Sequence, residues 1–243
     1  MNNIYDKITE APKDPILGLT EEFKSDKNPD KVNLSVGVYQ DDNSKTPTFE
    51  SVTLAEKKLI DINSSKTYKP IDGDSIFLRE TLKLVLGESL YSKFISNTFG
   101  FNTPGGTGAL KLASDFLYNF SNKSKVWLSD PTWPNHGPVF NSSGFEIKNY
   151  DYFDKNNNKI DFKKMIDSIS SIPENDIIVL HGCCHNPTGA DMNKDQWAEI
   201  TKLIKKKNLI TVCDFAYQGL GDGVEEDAAG VRNLIKELDN LII

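Results

Sequence analysis

Cysteine is scarce in this sequence, and its placement is informative. The 243 residues include three cysteines, of which Cys183 and Cys184 are adjacent. An odd and small number of thiols argues against a disulfide framework and fits a reducing compartment. We therefore expect a cytoplasmic protein with reduced cysteines.

Long apolar runs and a basic excess are also missing. The longest apolar runs, such as residues 177–180, have the length of a strand and are too short to span a bilayer. The first six residues contain neither a basic region nor an apolar run, so we expect no secretory signal. The formal net charge is −7, and no lysine cluster is interleaved with aromatic residues. We expect neither a membrane nor a nucleic-acid partner.

The sequence does contain the pattern of a globular α/β protein. Hydrophobic residues make up 38% and charged residues 26% of the chain, and its length allows a sizeable core. From Val126 onward, short β-rich runs alternate with amphipathic stretches. The expected strands are 126–128, 145–147, 177–180, 209–213 and 241–243, and the expected helices are 161–170, 193–207 and 226–238. This alternation predicts a three-layer αβα fold with a mostly parallel sheet.

The part of the chain before Val126 has a more mixed pattern. It predicts a strand at 32–38 and helices at 50–62 and 74–90. Two polar segments farther along, 141–144 and 154–159, are expected to be loops, the second as a hairpin or surface turn.

The segment 180–189, LHGCCHNPTG, is rich in chemically active side chains. If it continues as a strand, His181, Cys183 and His185 face one side and Cys184 faces the other. Zinc sites draw ligands from two paired clusters, and this chain has no second cluster. An apolar strand also favours inert thiols, so we expect packed cysteines rather than a metal site or a nucleophile. Asn186 follows the strand, where ligands of open α/β sheets bind.

The next strand ends in a carboxylate. Asp214 follows the apolar run 209–213, so its side chain starts from a buried position. A charge there is costly unless a cation or strong donors face it. One interpretation is a helix cap or a structural hydrogen bond, and the other is a counter-ion to a bound cationic ring. Tyr217, three residues later, could place its hydroxyl beside the same ligand.

Residues 104–110 form a glycine-rich turn ahead of an amphipathic helix. The apolar residues of the helix recur at three and four positions: Ala109, Leu112, Ala113, Phe116, Leu117 and Phe120. Free N–H groups at such a helix start bind anions, and glycines allow a phosphate to approach closely. A purely structural turn is the alternative. Trp133, which follows the strand at 126–128, is either a core anchor or a surface on which a planar ligand stacks.

These features converge on one cofactor and then on one family. A phosphate site, a carboxylate for a cationic nitrogen and a flat aromatic surface describe pyridoxal phosphate. The chain resembles the fold-type I, class I aminotransferases, in the aspartate and aromatic aminotransferase subgroup. The resemblance covers almost the whole chain, and its motifs occur in the family's order. They are residues 14–19, 34–39, 68–73, 105–110, 133–136, 181–189 and 214–219.

The resemblance implies roles for the residues around the cofactor ring. Asp214 would pair with the pyridine nitrogen, and His136 would support Asp214 from behind. Tyr217 and Asn186 would hydrogen-bond the phenolic oxygen of the ring, and Trp133 would stack on its face. The resemblance also predicts cis peptide bonds before Pro131 and Pro187.

The resemblance implies further roles at the phosphate and the substrate. The backbone of Gly106 and Thr107, together with the Thr107 hydroxyl, would hold the phosphate. Tyr68 would reach the phosphate in a partner subunit, which implies a homodimer. Gly37 and Asn186 would line the α-carboxylate of the substrate, an amino acid or a 2-oxo acid, with Trp133 beside it.

One expected group of residues does not occur in this sequence. In the family, the Schiff-base lysine follows the strand that here ends at Ile243, and the two substrate-binding arginines come later. After Tyr217 the only lysine is Lys236, inside a helical pattern. We therefore expect a truncated chain with no catalytic residue retained. Residues 1–45 would form the N-terminal arm and a small-domain segment, and residues 46–243 an incomplete cofactor-binding large domain.

Three functions remain possible at this point. The favoured one is transamination between L-aspartate and 2-oxoglutarate through pyridoxal phosphate, with the fragment itself inactive. The second is an aromatic-amino-acid aminotransferase, since the motifs present here are shared by both. The third is a non-catalytic binding or regulatory fragment.

Overall fold

The structure is a computed structural model that describes residues 4–9, 17–32, 39, 41–43, 45–121 and 123–243. The chain divides into two compact units, residues 1–67 and 68–243. The boundary that the sequence suggested, at 45/46, falls inside the first unit, and the domain assignment stays a proposal. Apart from Val32, the predicted strand at 32–38 lies outside the described residues.

The regular secondary structure described in the first unit is helical. It comprises a 3-10 helix at Ile4–Lys7, helix α1 at Leu17–Ser25 and helix α2 at Glu50–Ile62. Helix α2 has the bounds that the sequence predicts. It ends where Asn63 adopts a left-handed conformation, with φ 44°. Asparagine tolerates this conformation better than most residues, which explains why the helix stops there.

The second unit contains seven further α-helices among its described residues. They are α3 (Ser75–Phe94), α4 (Gly105–Ser121), α5 (His136–Ser142), α6 (Phe162–Ser170), α7 (Lys194–Lys206), α8 (Val224–Asp227) and α9 (Ala229–Glu237). A 3-10 helix, Ile95–Asn97, follows α3. The prediction for 226–238 joined α8 and α9, which separate at Ala228. The loop predicted at 141–144 is wrong in its first half, because Asn141 and Ser142 end α5.

Five parallel strands form the main sheet, as predicted. They are β1 (Val126–Asp130), β2 (Ile147–Asp151), β5 (Ile177–His181), β6 (Ile210–Asp214) and β7 (Leu241–Ile242), in the order β2-β1-β5-β6-β7. The predicted hairpin is the antiparallel pair β3 (Phe153–Asp154) and β4 (Lys159–Ile160). The prediction placed one strand at 145–147, but β2 begins only at Ile147.

Helices cover both faces of this sheet, so the three-layer prediction is confirmed. On β5, Ile178 and Leu180 pack with the cluster that includes Trp197 of α7 and Leu234 of α9. The alternate residue Val179 packs with the cluster formed by residues of α4 and α5. Successive residues of the strand therefore pack into hydrophobic clusters on opposite faces of the sheet, as expected of a sheet that is buried on both faces.

Helix α4 differs from its predicted apolar pattern in one respect. Its buried apolar residues are Leu110 and Leu117, whereas Leu112, Phe116 and Phe120 are exposed. The helix therefore carries apolar residues on two faces, and the recurrence in the sequence could not tell which face is covered.

The strand order determines where a ligand can bind. The chain runs outward from β1 to β2 and then returns to the other side of β1 with β5. The connections after β1 and β5 therefore leave in opposite directions and open a crevice at the carboxyl ends of the strands. Asp130, His181 and Asp214 end β1, β5 and β6 at this edge. No helix among the described residues combines the length and apolarity needed to cross a membrane.

Candidate cofactor site

A cavity of about 210 Å³ opens at this carboxyl edge of the sheet. Six of the residues predicted to bind the cofactor line it: Gly106, Thr107, Trp133, Asn186, Asp214 and Tyr217. His181, Cys183 and Ala216 line it as well, although the sequence did not assign them to the site. Residues that are up to 111 positions apart in sequence, Gly106 and Tyr217, therefore meet in one place.

The amino end of α4 forms one wall of the cavity. The first N–H groups of an α-helix have no partner within the helix and carry a partial positive charge. Gly105 begins α4 with φ 73°, and a Cβ built on Gly105 or Gly106 meets no atom within 4 Å. The Gly105 N–H donates to Thr103 O at 2.8 Å, but the space beside Gly105 and Gly106 is open, which lets a phosphate approach the start of α4 closely.

Asp214 forms the floor of the cavity together with His136 behind it. His136 Nε2 lies 3.0 Å from Asp214 Oδ2, and the Asp214 side chain is 22% exposed whereas that of His136 is 0% exposed. Burial by itself raises the pKa of Asp214, but hydrogen bonds from His136 and from the Ala216 N–H outweigh it. The net pKa of Asp214 lies below its usual value, so the group is a carboxylate at neutral pH.

A chain of hydrogen bonds continues behind Asp214. The Asn186 N–H donates to His181 Nδ1 at 3.2 Å, so we assign the His181 proton to Nε2. This Nε2 lies 3.3 Å from Thr132 Oγ1, which in turn lies 2.7 Å from His136 Nδ1. With Thr132 donating to His136, Nε2 of His136 carries the proton and donates to Asp214. The network thereby fixes the ring that supports the carboxylate.

His181, which lines the cavity, stacks on His185, with ring centroids 4.1 Å apart. Tyr152 stacks on His185 in turn, at 4.0 Å. Burial lowers the pKa of His181 to about 4 and that of His185 to about 3. Both imidazoles are therefore neutral at physiological pH.

The predicted alternation of side chains across 181–185 does not hold. Strand β5 ends at His181, and Cys184 has φ 48°, which no strand residue adopts. The chain bends here, so Cys183 reaches the cavity while the rings of His181 and His185 stack. Within the part of the chain that the structure describes, no group of three or more His, Cys, Asp or Glu could hold a metal ion.

The three thiols are free in the structure. Burial raises the pKa of Cys183 and of Cys213, and it raises that of the partly exposed Cys184 as well. Thiols with raised pKa values stay protonated and react slowly. This agrees with packing as the role of the cysteines.

Two further predictions concern the loops beside the cavity. The peptide bonds Asp130–Pro131 and Asn186–Pro187 are both cis, as the resemblance predicts. Trp133 lies at the cavity with its ring edge-on to His136, at a centroid distance of 5.4 Å. One face of Trp133 is thus free of this partner and can meet a planar ligand.

Three predicted site residues do not line the cavity. His136 lies behind Asp214, as expected of a supporting residue. Tyr68 is fully exposed, and Gly37 lies outside the described residues. No lysine is among the residues that line the cavity.

Comparisons with known proteins agree with this geometry. The family model for aminotransferase class I and II matches residues 29–243. The aspartate aminotransferase of Escherichia coli K12 is 42% identical over 240 residues, which are 99% of this chain and 61% of that protein. The aromatic-amino-acid aminotransferase of Pseudomonas aeruginosa is 39% identical over 98% of this chain and 60% of that protein.

The solved structures give the same result. The aromatic-amino-acid aminotransferase of Burkholderia pseudomallei, covalently bound to pyridoxal phosphate, superimposes with a TM-score of 0.92. It is 40% identical and matches 98% of this chain and 60% of its own. The chain thus spans about 60% of the length of the curated relatives described here. With the family model covering most of its residues, this chain belongs to the class I and II aminotransferases.

Proposed function

We propose that this chain provides the pyridoxal-phosphate site of an aminotransferase that moves the amino group of L-aspartate to 2-oxoglutarate. The observation that carries the proposal is the Asp214 carboxylate, backed by His136, in one cavity with the open start of α4. An anion site and an anionic side chain in the same small cavity suit a ligand with a phosphate at one end and a cationic nitrogen at the other.

The residues of the cavity match the groups of the cofactor one by one. The N–H groups of Gly106 and Thr107, with the Thr107 hydroxyl, would bind the phosphate. Asp214 would accept a hydrogen bond from the ring nitrogen. Its lowered pKa keeps Asp214 a carboxylate, and a negative charge beside the ring nitrogen favours the protonated form of that nitrogen.

The other polar groups of the cavity would hold the opposite edge of the ring. The Tyr217 hydroxyl and the Asn186 amide can both donate to the phenolic oxygen, and Trp133 can cover one face. When bound, pyridoxal phosphate supplies an electron-accepting ring that carries the amino group from the amino acid to the oxo acid. Asp214 contributes by keeping the ring nitrogen charged.

Substrate and assembly are proposals of the same kind. Asn186, Trp133 and Gly37 would line the substrate carboxylate, and Tyr68 would serve the site of a partner subunit in a homodimer. Aspartate is our first choice of substrate, and an aromatic amino acid is the alternative because aromatic aminotransferases are among the similar proteins. We propose the cytoplasm as its location, which the three free thiols support.

A chimera tests the activity. This chain would replace the 240 matched residues of the E. coli aspartate aminotransferase, so that the rest of that enzyme supplies the remaining groups. We expect the chimera to convert aspartate and 2-oxoglutarate, measured by coupling oxaloacetate to NADH oxidation. Faster turnover of phenylalanine than of aspartate would favour the alternative. A folded chimera that binds no pyridoxal phosphate would contradict the proposal.

A further inference from the structure

The loop between β6 and α8 contains Tyr217 and is held by a carboxylate outside the cavity. Asp227, at the end of α8, accepts backbone hydrogen bonds from three residues of this loop. The Gly219 N–H donates to Oδ2 at 2.8 Å, the Gly221 N–H to Oδ2 at 3.0 Å and the Asp222 N–H to Oδ1 at 2.8 Å. One side chain thereby fixes the backbone that directly follows Tyr217.

The Asp227 carboxylate is buried, at 7% exposure, and pairs with no cation among the residues that the structure describes. Burial raises its pKa, but the loop N–H groups outweigh burial, so the pKa lies below its usual value. The contact is also close: a Cβ on Gly221 would lie 2.7 Å from Asp227 Oδ1. Glycine at 221 lets the loop backbone approach the carboxylate.

A second anchor holds the same loop from the other side. Helix α3 is interrupted at Gly87, where φ is 71° and ψ is 156°. This break frees carbonyl groups of the preceding turn. Gln218 Nε2 donates to Leu84 O and to Val224 O, both at 2.9 Å. Tyr217 therefore lies directly before two independent anchors, Gln218 and the N–H groups held by Asp227.

We propose that Asp227 is a positioning residue that sets the direction of the Tyr217 side chain into the cavity. Asp227 does not line the cavity, so it acts through the loop. The inference rests on the proposed function, in which the Tyr217 hydroxyl donates to the phenolic oxygen of the cofactor. If Asp227 no longer holds the loop N–H groups, the Tyr217 side chain loses its fixed direction. The hydrogen bond from its hydroxyl to the phenolic oxygen of the cofactor then weakens.

A double-mutant cycle on the 243-residue chain tests this. The probe is pyridoxamine 5′-phosphate, which has no aldehyde to react with surface lysines, and its affinity is measured by isothermal titration calorimetry. We expect Tyr217→Phe and Asp227→Asn each to weaken binding by about fivefold, the worth of one hydrogen bond. The double variant should bind like Tyr217→Phe alone, because Asp227 acts only through the lost hydroxyl.

Two variants serve as controls for this cycle. Asp222→Asn removes the same charge from an exposed side chain of the same loop and should leave the affinity unchanged. Gly221→Ala places a methyl group against Asp227 Oδ1 and so disturbs the same contact from the loop. It should weaken binding as much as Asp227→Asn does, and it replaces Asp227→Asn in the cycle if that variant does not fold.

The outcomes separate the inference from the proposed function. If the losses from Tyr217→Phe and Asp227→Asn (or Gly221→Ala) simply multiply in the double variant, Asp227 has only a structural role and the inference is wrong. If the wild-type chain folds but binds no pyridoxamine phosphate, the proposed function itself fails and the inference falls with it.

Discussion

The buried histidines predict that acid destabilises this protein in a defined pH window. His181 and His185 have folded pKa values of about 4 and about 3, against about 6.5 for an unfolded histidine. Below pH 6.5 the unfolded chain therefore binds more protons than the folded chain. The contribution to stability is fully present above pH 6.5 and is lost as the pH falls toward the folded values.

The expected size follows from the difference in bound protons. Where a histidine is protonated in the unfolded state but not in the folded state, each pH unit of acidification lowers the free energy of unfolding by about 1.4 kcal/mol. Acidification from pH 8 to pH 5 thus removes about 2 kcal/mol of unfolding free energy for each of the two histidines. The two imidazoles face each other, His181 also faces His136 and Asp214, and His185 also faces Tyr152 and is influenced by His136. Unfolded aspartate and glutamate side chains titrate near 3.9 and 4.3, so the carboxylates with lowered folded pKa values lose their contribution mainly below about pH 5, at the lower end of this window.

Urea unfolding at pH 8, 6.5, 5.5 and 5 measures the effect. His185→Gln should remove about half of the decrease, because one of the two titrating rings is then absent. The free energy of unfolding of the wild type should be level above pH 7. If it is equally level between pH 6.5 and pH 5, these imidazoles are not neutral in the folded chain and the reasoning fails.

Two more predictions concern the chemistry of the cavity. In the chimera, Asp214→Ala should lower turnover by at least about 100-fold while cofactor affinity falls less, since in the proposed function the carboxylate acts mainly on the charge of the ring nitrogen. Absorbance titration and steady-state kinetics separate the two effects, and near-normal turnover would rule out the role of Asp214. The 243-residue chain itself should show no transamination, because no lysine lines the described cavity. Borohydride reduction with pyridoxal phosphate followed by peptide mapping should find no single preferred lysine, and one labelled site with aspartate turnover would contradict this.

The sequence predicted the elements that have strong periodicity and clear ends. Helix α2 was predicted at both ends, and the apolar runs gave each strand of the sheet to within a few residues. Helix α5 was missed because it has only seven residues and includes Gly137 and Pro138, which are poor helix formers. Local preference could not reveal it, since the helix depends on Phe140 in the core.

The placement of residues at the cavity could be predicted where a side chain follows the end of a strand, and not where a side chain holds the backbone of a loop. Asp214 and Asn186 follow apolar strands, and parallel strands end at one edge, so their meeting could be expected. Cys183 was assigned only to core packing because the strand was extended past His181. Asp227 gave no signal at all, since its partners are N–H groups that every sequence has.

Asp214 and Asp227 are both aspartates with lowered pKa values, but their hydrogen bonding differs. Replacing the charged side chain by asparagine should therefore change the free energy of unfolding by different amounts at the two positions. Asp227 is enclosed by loop N–H groups, so Asp227→Asn turns an NH₂ toward other donors and should cost about 1–3 kcal/mol. Asp214 faces the cavity on one side, and an Asn oxygen can still accept from His136.

Asp214→Asn should therefore cost less than about 1 kcal/mol in the ligand-free chain, or even stabilise it, as expected of a charge held in place for function. Urea unfolding of both variants at pH 7.5 compares the two. A larger loss of unfolding free energy for Asp214→Asn than for Asp227→Asn would mean that Asp214 is the structural carboxylate. Its assignment as the cofactor-binding group of the cavity would then be wrong.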